Sequence, residues 1–157
     1  MAIQVGEKIP DVTIKTSGMK DLSTGALCAG KKVVVFAVPG AFTPTCSEQH
    51  FPGFIEKVAD FKAKGVDVIA CMSVNDAFVM DAWAKDRGAG EDITLLADGN
   101  ADFAKALGLE MDGTGIGFGT RAQRFALVIE DGVVTHTAIE APMKFEVSSA
   151  EAILGAL

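Results

Sequence analysis

Apolar residues fall into two kinds of pattern along this chain. The run VVVFAV (33–38) is uninterrupted and β-branched, and VDVIACM (66–72) reads the same way, with ITLL (93–96) as a shorter third case. Such runs predict strands covered on both faces. Between the first two, Phe51, Phe54, Ile55, Val58 and Phe61 recur every three or four residues, the stripe of a helix with one buried face. Similar spacing over 76–86 (Phe78, Val79, Ala82, Trp83) and a helix-like segment at 101–107 predict two more helices. RFALVI (124–129), the turn residues Glu130-Asp131-Gly132 and VVTHTAI (133–139) together form a hairpin signal. Ser148-Ser149-Ala150-Glu151 precedes AILGAL as a capping box opening a last helix.

This order (strand, helix, strand, helix, strand, helix, hairpin, helix) describes an α/β sandwich. Right-handed crossovers make the early strands parallel, and the final hairpin adds antiparallel pairing. No linker, repeat or low-complexity tract divides the chain, so residues 1–157 are expected to form one domain.

Composition narrows the partners. Fourteen basic and 21 acidic residues leave a formal charge of −7, with no basic run longer than Lys31-Lys32. That balance argues against nucleic acid and against an anionic membrane surface. The opening MAIQVGEKIPD has no apolar signal-peptide core, and the longest apolar run is too short to span a bilayer. Three widely spaced cysteines suit a reducing compartment, and a cytoplasmic location is expected. Two histidines and dispersed cysteines offer no metal cluster, and no cofactor is expected.

The chemistry concentrates in VPGAFTPTCSEQH (38–50). Thr43-Pro44 is a helix start, with Thr43 as N-cap and Pro44 at the first helical position. Cys46 then falls in the first turn, where free backbone N–H groups and the positive end of the helix dipole favour a thiolate. A first turn after such a loop is not an expected core position, which weighs against an inert buried thiol. Thiolate formation alone does not make a fast catalyst, so charge on the departing atom must also be stabilised. Thr43 can aim its hydroxyl at sulfur or substrate. His50 lies one turn beyond Cys46 on the same helix face. Arg121 or Arg124, ahead of the penultimate strand, supplies a fixed positive charge. Against these stand a plain N-cap, a solvated histidine and two surface arginines.

Pro39, Thr43 and Cys46 stand in the spacing P-x-x-x-T-x-x-C, which resembles the signature of the peroxiredoxins. VPGAFTPTCSEQHFPGF, CMSVNDAFVM (71–80), LLADG (95–99) and RFALVIEDGVV (124–134) are similar in particular to the type II, or five-class, members, nearly end to end. The resemblance implies a thioredoxin-like fold, a central mixed sheet flanked by helices. It implies a thiol peroxidase reducing hydrogen peroxide and alkyl hydroperoxides, with Cys46 as peroxidatic cysteine, Thr43 as its hydroxyl partner and Pro39 shielding the pocket. Arg124 matches the family arginine better than Arg121, and Gly40 and His50 fall in the substrate pocket. Cys71 matches the second cysteine of plant-like type II members, so it is either a resolving cysteine or an inert core thiol. Cys28 has no role. The implied reductant is glutathione with glutaredoxin, or thioredoxin, and the implied assembly is a homodimer.

DGTGIGFGT (112–120) contains repeated glycines but follows no clear strand and opens no helix, so it reads as a mobile loop rather than a nucleotide site. Its apolar pair, Ile116 and Phe118, is expected at a contact surface. A thioredoxin-like disulfide reductase would share the fold but usually needs C-x-x-C, and position 49 is Gln. A binding module would not need Thr43, Cys46 and Arg124 together.

Overall fold

The computed structural model describes residues 1–157. The continuous apolar runs form the middle of a seven-stranded sheet: β3 (Lys32–Ala37), β4 (Val68–Ser73) and β5 (Ile93–Ala97) run parallel, as the crossovers require. β8 (Phe125–Glu130) pairs antiparallel with β3 on one side and with β9 (Val133–Ile139) on the other. Asp131 and Gly132 both have positive φ (48° and 78°), the backbone of a tight two-residue hairpin turn. At the far edge, β1 (Thr13–Lys15) and β2 (Asp21–Ser23) form a hairpin, giving the order β2-β1-β5-β4-β3-β8-β9.

Alternation along β3 divides the interior. Val34, Phe36 and Val38 enter one core of 24 buried residues, and Val33, Val35 and Ala37 enter another of 20 on the opposite face. The first core lies under α2 (Phe51–Glu56), α3 (Val58–Ala63), α4 (Ala77–Arg87) and α6 (Ala150–Ala156). The second includes Cys28 of α1 (Thr24–Cys28) and Phe103 and Leu107 of α5 (Asp102–Leu107). Phe36, Phe51, Phe54 and Phe61 are fully buried in the first core, each adding about 2–3 kcal/mol of apolar burial.

Four expectations are corrected. The helix anticipated over 51–61 breaks at Lys57 (φ −108°, ψ 14°) into α2 and α3. The cap of α6 is Ser149, whose hydroxyl accepts from the Ala152 N–H; Ser148 is one residue too early because its own hydroxyl is engaged elsewhere. The glycine-rich stretch is not a plain loop: β6 (Glu110–Gly113) and β7 (Gly119–Ala122) pair antiparallel around it. A Cβ at Gly113 would approach the Phe118 Cβ to 2.6 Å, so this hairpin closes only on glycine. Finally, Ile116 is 70% exposed, but Phe118 is half-buried under the Arg121 guanidinium, 4.9 Å from its ring centre.

Candidate active site

The chain leaves β3 through Pro39 and turns over Gly40 into the helix that begins at Pro44. The turn is anchored from the side by Asn75, just past β4, whose side-chain oxygen accepts from the Ala41 N–H at 3.0 Å. Gly40 is tightly enclosed: a Cβ there would lie 3.0 Å from Arg121 Nη1 and 3.1 Å from the Thr43 methyl. Thr43 occupies the expected helix start, its carbonyl accepting from the Ser47 N–H at 2.9 Å. Its hydroxyl, however, caps nothing and does not meet the sulfur; it donates to the Gly40 carbonyl at 2.7 Å. That bond uses its proton and leaves its lone pairs for a donor in the pocket.

From Cys46 to His50 the helix widens into a π-turn, with the Phe51 N–H reaching back to the Cys46 carbonyl. Such turns inside α-helices are frequent at functional sites. The turn is pinned on its inner side by Trp83 of α4, whose indole N–H donates to the Ser47 hydroxyl at 2.8 Å.

Cys46 is 1% exposed and belongs to the first core, against the expectation that a first-turn position lies outside it. Burial does not distinguish it, since Cys28 and Cys71 are buried as well. A cation does. Arg124 Nη2 donates to Cys46 Sγ at 3.1 Å, while its Nη1 stands 3.0 Å from His50 Nδ1. His50 is fully buried, with its Nε2 2.9 Å from the Ser148 carbonyl. A carbonyl only accepts, so Nε2 carries the proton and Nδ1 accepts from the arginine. Burial, together with the positive Arg124, pushes the imidazole down to about 3 despite the Ser148 bond, so it is neutral at physiological pH. His50 is thus not solvated, and both its ring nitrogens are engaged away from the sulfur, one of them by the guanidinium that faces Cys46.

The other cysteines have no such support. Burial pushes Cys28 up to about 11, only partly offset by Lys31. Burial, then the charge of Cys46, pushes Cys71 well above its ordinary 9.0. Cys71 is not at the end of its strand: it pairs in register with Phe36, with Met72 and Ser73 beyond it. It shares the core of Cys46 but is enclosed on every side.

Arg121 is not a free surface arginine either. It donates to the Phe118 carbonyl at 3.0 Å and to the Pro39 carbonyl at 3.3 Å, tying the glycine-rich hairpin to the cysteine turn. Asn75 escaped the sequence reading, although CMSVND contains it, and Arg121, a candidate there for the fixed positive charge, serves instead as an anchor. Outside lies a cleft of about 530 Å³, lined by Pro39, Thr45, Ile116, Arg124, Met143 and Phe145 among others.

A buried thiol, a guanidinium on its sulfur and a neutral histidine behind the guanidinium make a site for a nucleophilic thiolate and a developing anion. Over residues 4–154 the chain matches the profile of the redoxin family. It is 48% identical over 159 residues to Peroxiredoxin-2B of Arabidopsis thaliana, covering 99% of this chain and 98% of that one. The chain is a peroxiredoxin of the redoxin family. The reduced Prx3 of Vibrio vulnificus, solved in complex with H2O2, superposes with a TM-score of 0.94 at 57% identity over 99% of both chains. A Burkholderia cenocepacia structure that goes by the name of a thioredoxin reductase superposes at 0.98, with 45% identity over 100% of this chain and 99% of that one. This peroxiredoxin has a single cysteine in the turn, with Gln at position 49, and no second thiol there for a dithiol reductase. The type II resemblance, the thioredoxin-like fold and thiol peroxidase activity therefore describe it.

Proposed function

We propose that this peroxiredoxin reduces hydrogen peroxide and alkyl hydroperoxides through a Cys46 sulfenic acid. The observation that supports this most is the Arg124 donor on Cys46 Sγ, held by a histidine that burial keeps neutral. The Cys46 thiolate attacks the terminal peroxide oxygen. An S–O bond forms, the O–O bond breaks, and its electron pair leaves on hydroxide or alkoxide. Arg124 faces that charge as it develops, and Thr43, its own proton given to Gly40, accepts from the peroxide hydroxyl. Pro39 walls the approach from the cleft. The apolar lining supplied by Ile116, Met143 and Phe145 favours alkyl hydroperoxides beside hydrogen peroxide.

The sulfenic acid then condenses with a thiol, releasing water and forming a mixed disulfide, and a second thiol releases Cys46. An external thiol is the better-supported partner, glutathione with glutaredoxin or thioredoxin, because burial holds the Cys71 thiol protonated. Cys71 as resolving residue is the alternative reading. Peroxide consumption with each reductant supplied separately tests the assignment; no consumption with any thiol would overturn the proposed reaction.

A homodimer is supported by Ile116 and Met143, two exposed apolar side chains on the rim of the cleft. A cytoplasmic, reducing location is supported by three cysteines that all stand as free thiols. Cell fractionation that recovers the protein from an oxidising compartment would overturn the location.

A further inference from the structure

Glu140 follows directly on β9, and its N–H donates to the Arg124 carbonyl at 3.0 Å. The two residues therefore face each other where the sheet meets the active site. The Glu140 side chain is 7% exposed and joins no ion pair. Its Oε2 accepts four hydrogen bonds: from the N–H groups of Glu146 (2.8 Å), Val147 (2.9 Å) and Ser148 (2.8 Å), and from the Ser148 hydroxyl (2.7 Å). Burial pushes this carboxyl up, but the four bonds together outweigh it and hold the group below its ordinary value. It is an anion at neutral pH, and only an anionic acceptor suits four donors on one oxygen.

These bonds cap no helix, since α6 is capped by Ser149. They fold residues 141–148 back over the site. One result is the Ser148 carbonyl 2.9 Å from His50 Nε2. Another is the Phe145 ring, 5.0 Å from the His50 ring and 5.7 Å from the Arg124 guanidinium carbon. Without that carbonyl the imidazole could take its other tautomer and turn an N–H toward Arg124, two donors face to face.

We propose that Glu140 is a positioning residue for the peroxide reaction: its carboxylate sets the Ser148 carbonyl, which selects the His50 tautomer that aims Arg124 at Cys46. The chain of contacts is continuous from Oε2 to Sγ, and every link is a hydrogen bond of ordinary length. This inference rests on the peroxide reading above.

The test uses Glu140→Gln, which keeps the side-chain volume and removes the charge, with Glu140→Ala as the harsher variant. Oxidation of Cys46 by hydrogen peroxide should slow on the order of tenfold or more, the scale of a catalytic group displaced by a fraction of an ångström. Nitrogen-15 NMR of the His50 ring should lose the fixed Nε2–H pattern of the wild type. Should Glu140→Ala fail to fold, the near-isosteric Glu140→Gln is the decisive variant. A folded Glu140→Gln protein with unchanged His50 signals and an unchanged oxidation rate would overturn the inference. A wild-type protein inert to peroxide would overturn the proposed reaction instead, and the His50 signals would still decide whether Glu140 sets the tautomer.

Discussion

His50 turns Nδ1 to Arg124 at 3.0 Å and Nε2 to the Ser148 carbonyl at 2.9 Å, so its hydrogen-bonded link to Cys46 runs through the arginine. A proton on Nδ1 would set a second donor against the guanidinium and break the arrangement. This arrangement therefore requires an uncharged imidazole, which burial among Phe36, Phe54 and Phe145 favours.

This has a consequence in acid. The unfolded chain protonates His50 near 6.5, whereas the folded chain resists until about 3. Between those values the unfolded state binds more protons, so stability should fall as pH drops through the window from 6.5 toward 3. Denaturant midpoints across that range should decline less steeply in His50→Gln than in the wild type. Parallel pH profiles for the two proteins would mean that His50 titrates alike folded and unfolded.

Arg124→Ala should slow Cys46 oxidation by about a hundredfold, comparable to removing one oxyanion-hole donor. Alkylation of Cys46 by iodoacetamide, measured alongside, reports the thiolate without involving peroxide. If the alkylation rate falls as far as the peroxide rate, Arg124 only sets the thiolate and does nothing for the leaving oxygen.

Cys71→Ser and Cys28→Ser should each leave turnover with an external thiol near normal, since both thiols are buried and pushed up. Loss of turnover in Cys71→Ser, with a Cys46–Cys71 bridge in non-reducing mass spectrometry of the wild type, would make Cys71 the resolving residue.

Ile116→Glu should shift the protein toward monomer in light scattering, because Ile116 rather than Phe118 is the exposed apolar residue of the β6–β7 hairpin. A wild-type monomer at high concentration, or an unaltered dimer in the variant, would count against the dimer.

How much of this was readable from the chain depends on the range of the interaction. β3, β4 and β5 announce themselves because strands buried on both faces need uninterrupted apolar residues. β1, β2, β6 and β7 do not: they are three or four residues each, with polar or glycine positions that no period distinguishes from loop. Cys46, Thr43, Pro39 and Arg124 were legible through a local helix start and a family-like spacing, and the structure brings Cys46 and Arg124 into contact. The contacts of His50 and Glu140 were not. His50 is defined by a carbonyl 98 residues away, and no local pattern encodes a backbone oxygen. Ser148 misled for the same reason: the capping box is locally plausible, but the distant carboxylate of Glu140 claims its hydroxyl. The π-turn was equally hidden, since the choice between helix types is made by packing such as the Trp83–Ser47 bond.

The central claim is that Cys46, with Arg124 on its sulfur, performs the reduction. Fully reduced protein mixed with one equivalent of hydrogen peroxide, without added thiol, and trapped at once with a sulfenic acid reagent tests it most directly. Mass spectrometry should find the trap on Cys46 alone, with one peroxide lost per chain, and Cys46→Ser should consume none. Peroxide loss in Cys46→Ser equal to that of the wild type, or label on Cys28 or Cys71 with Cys46 unmodified, would contradict it.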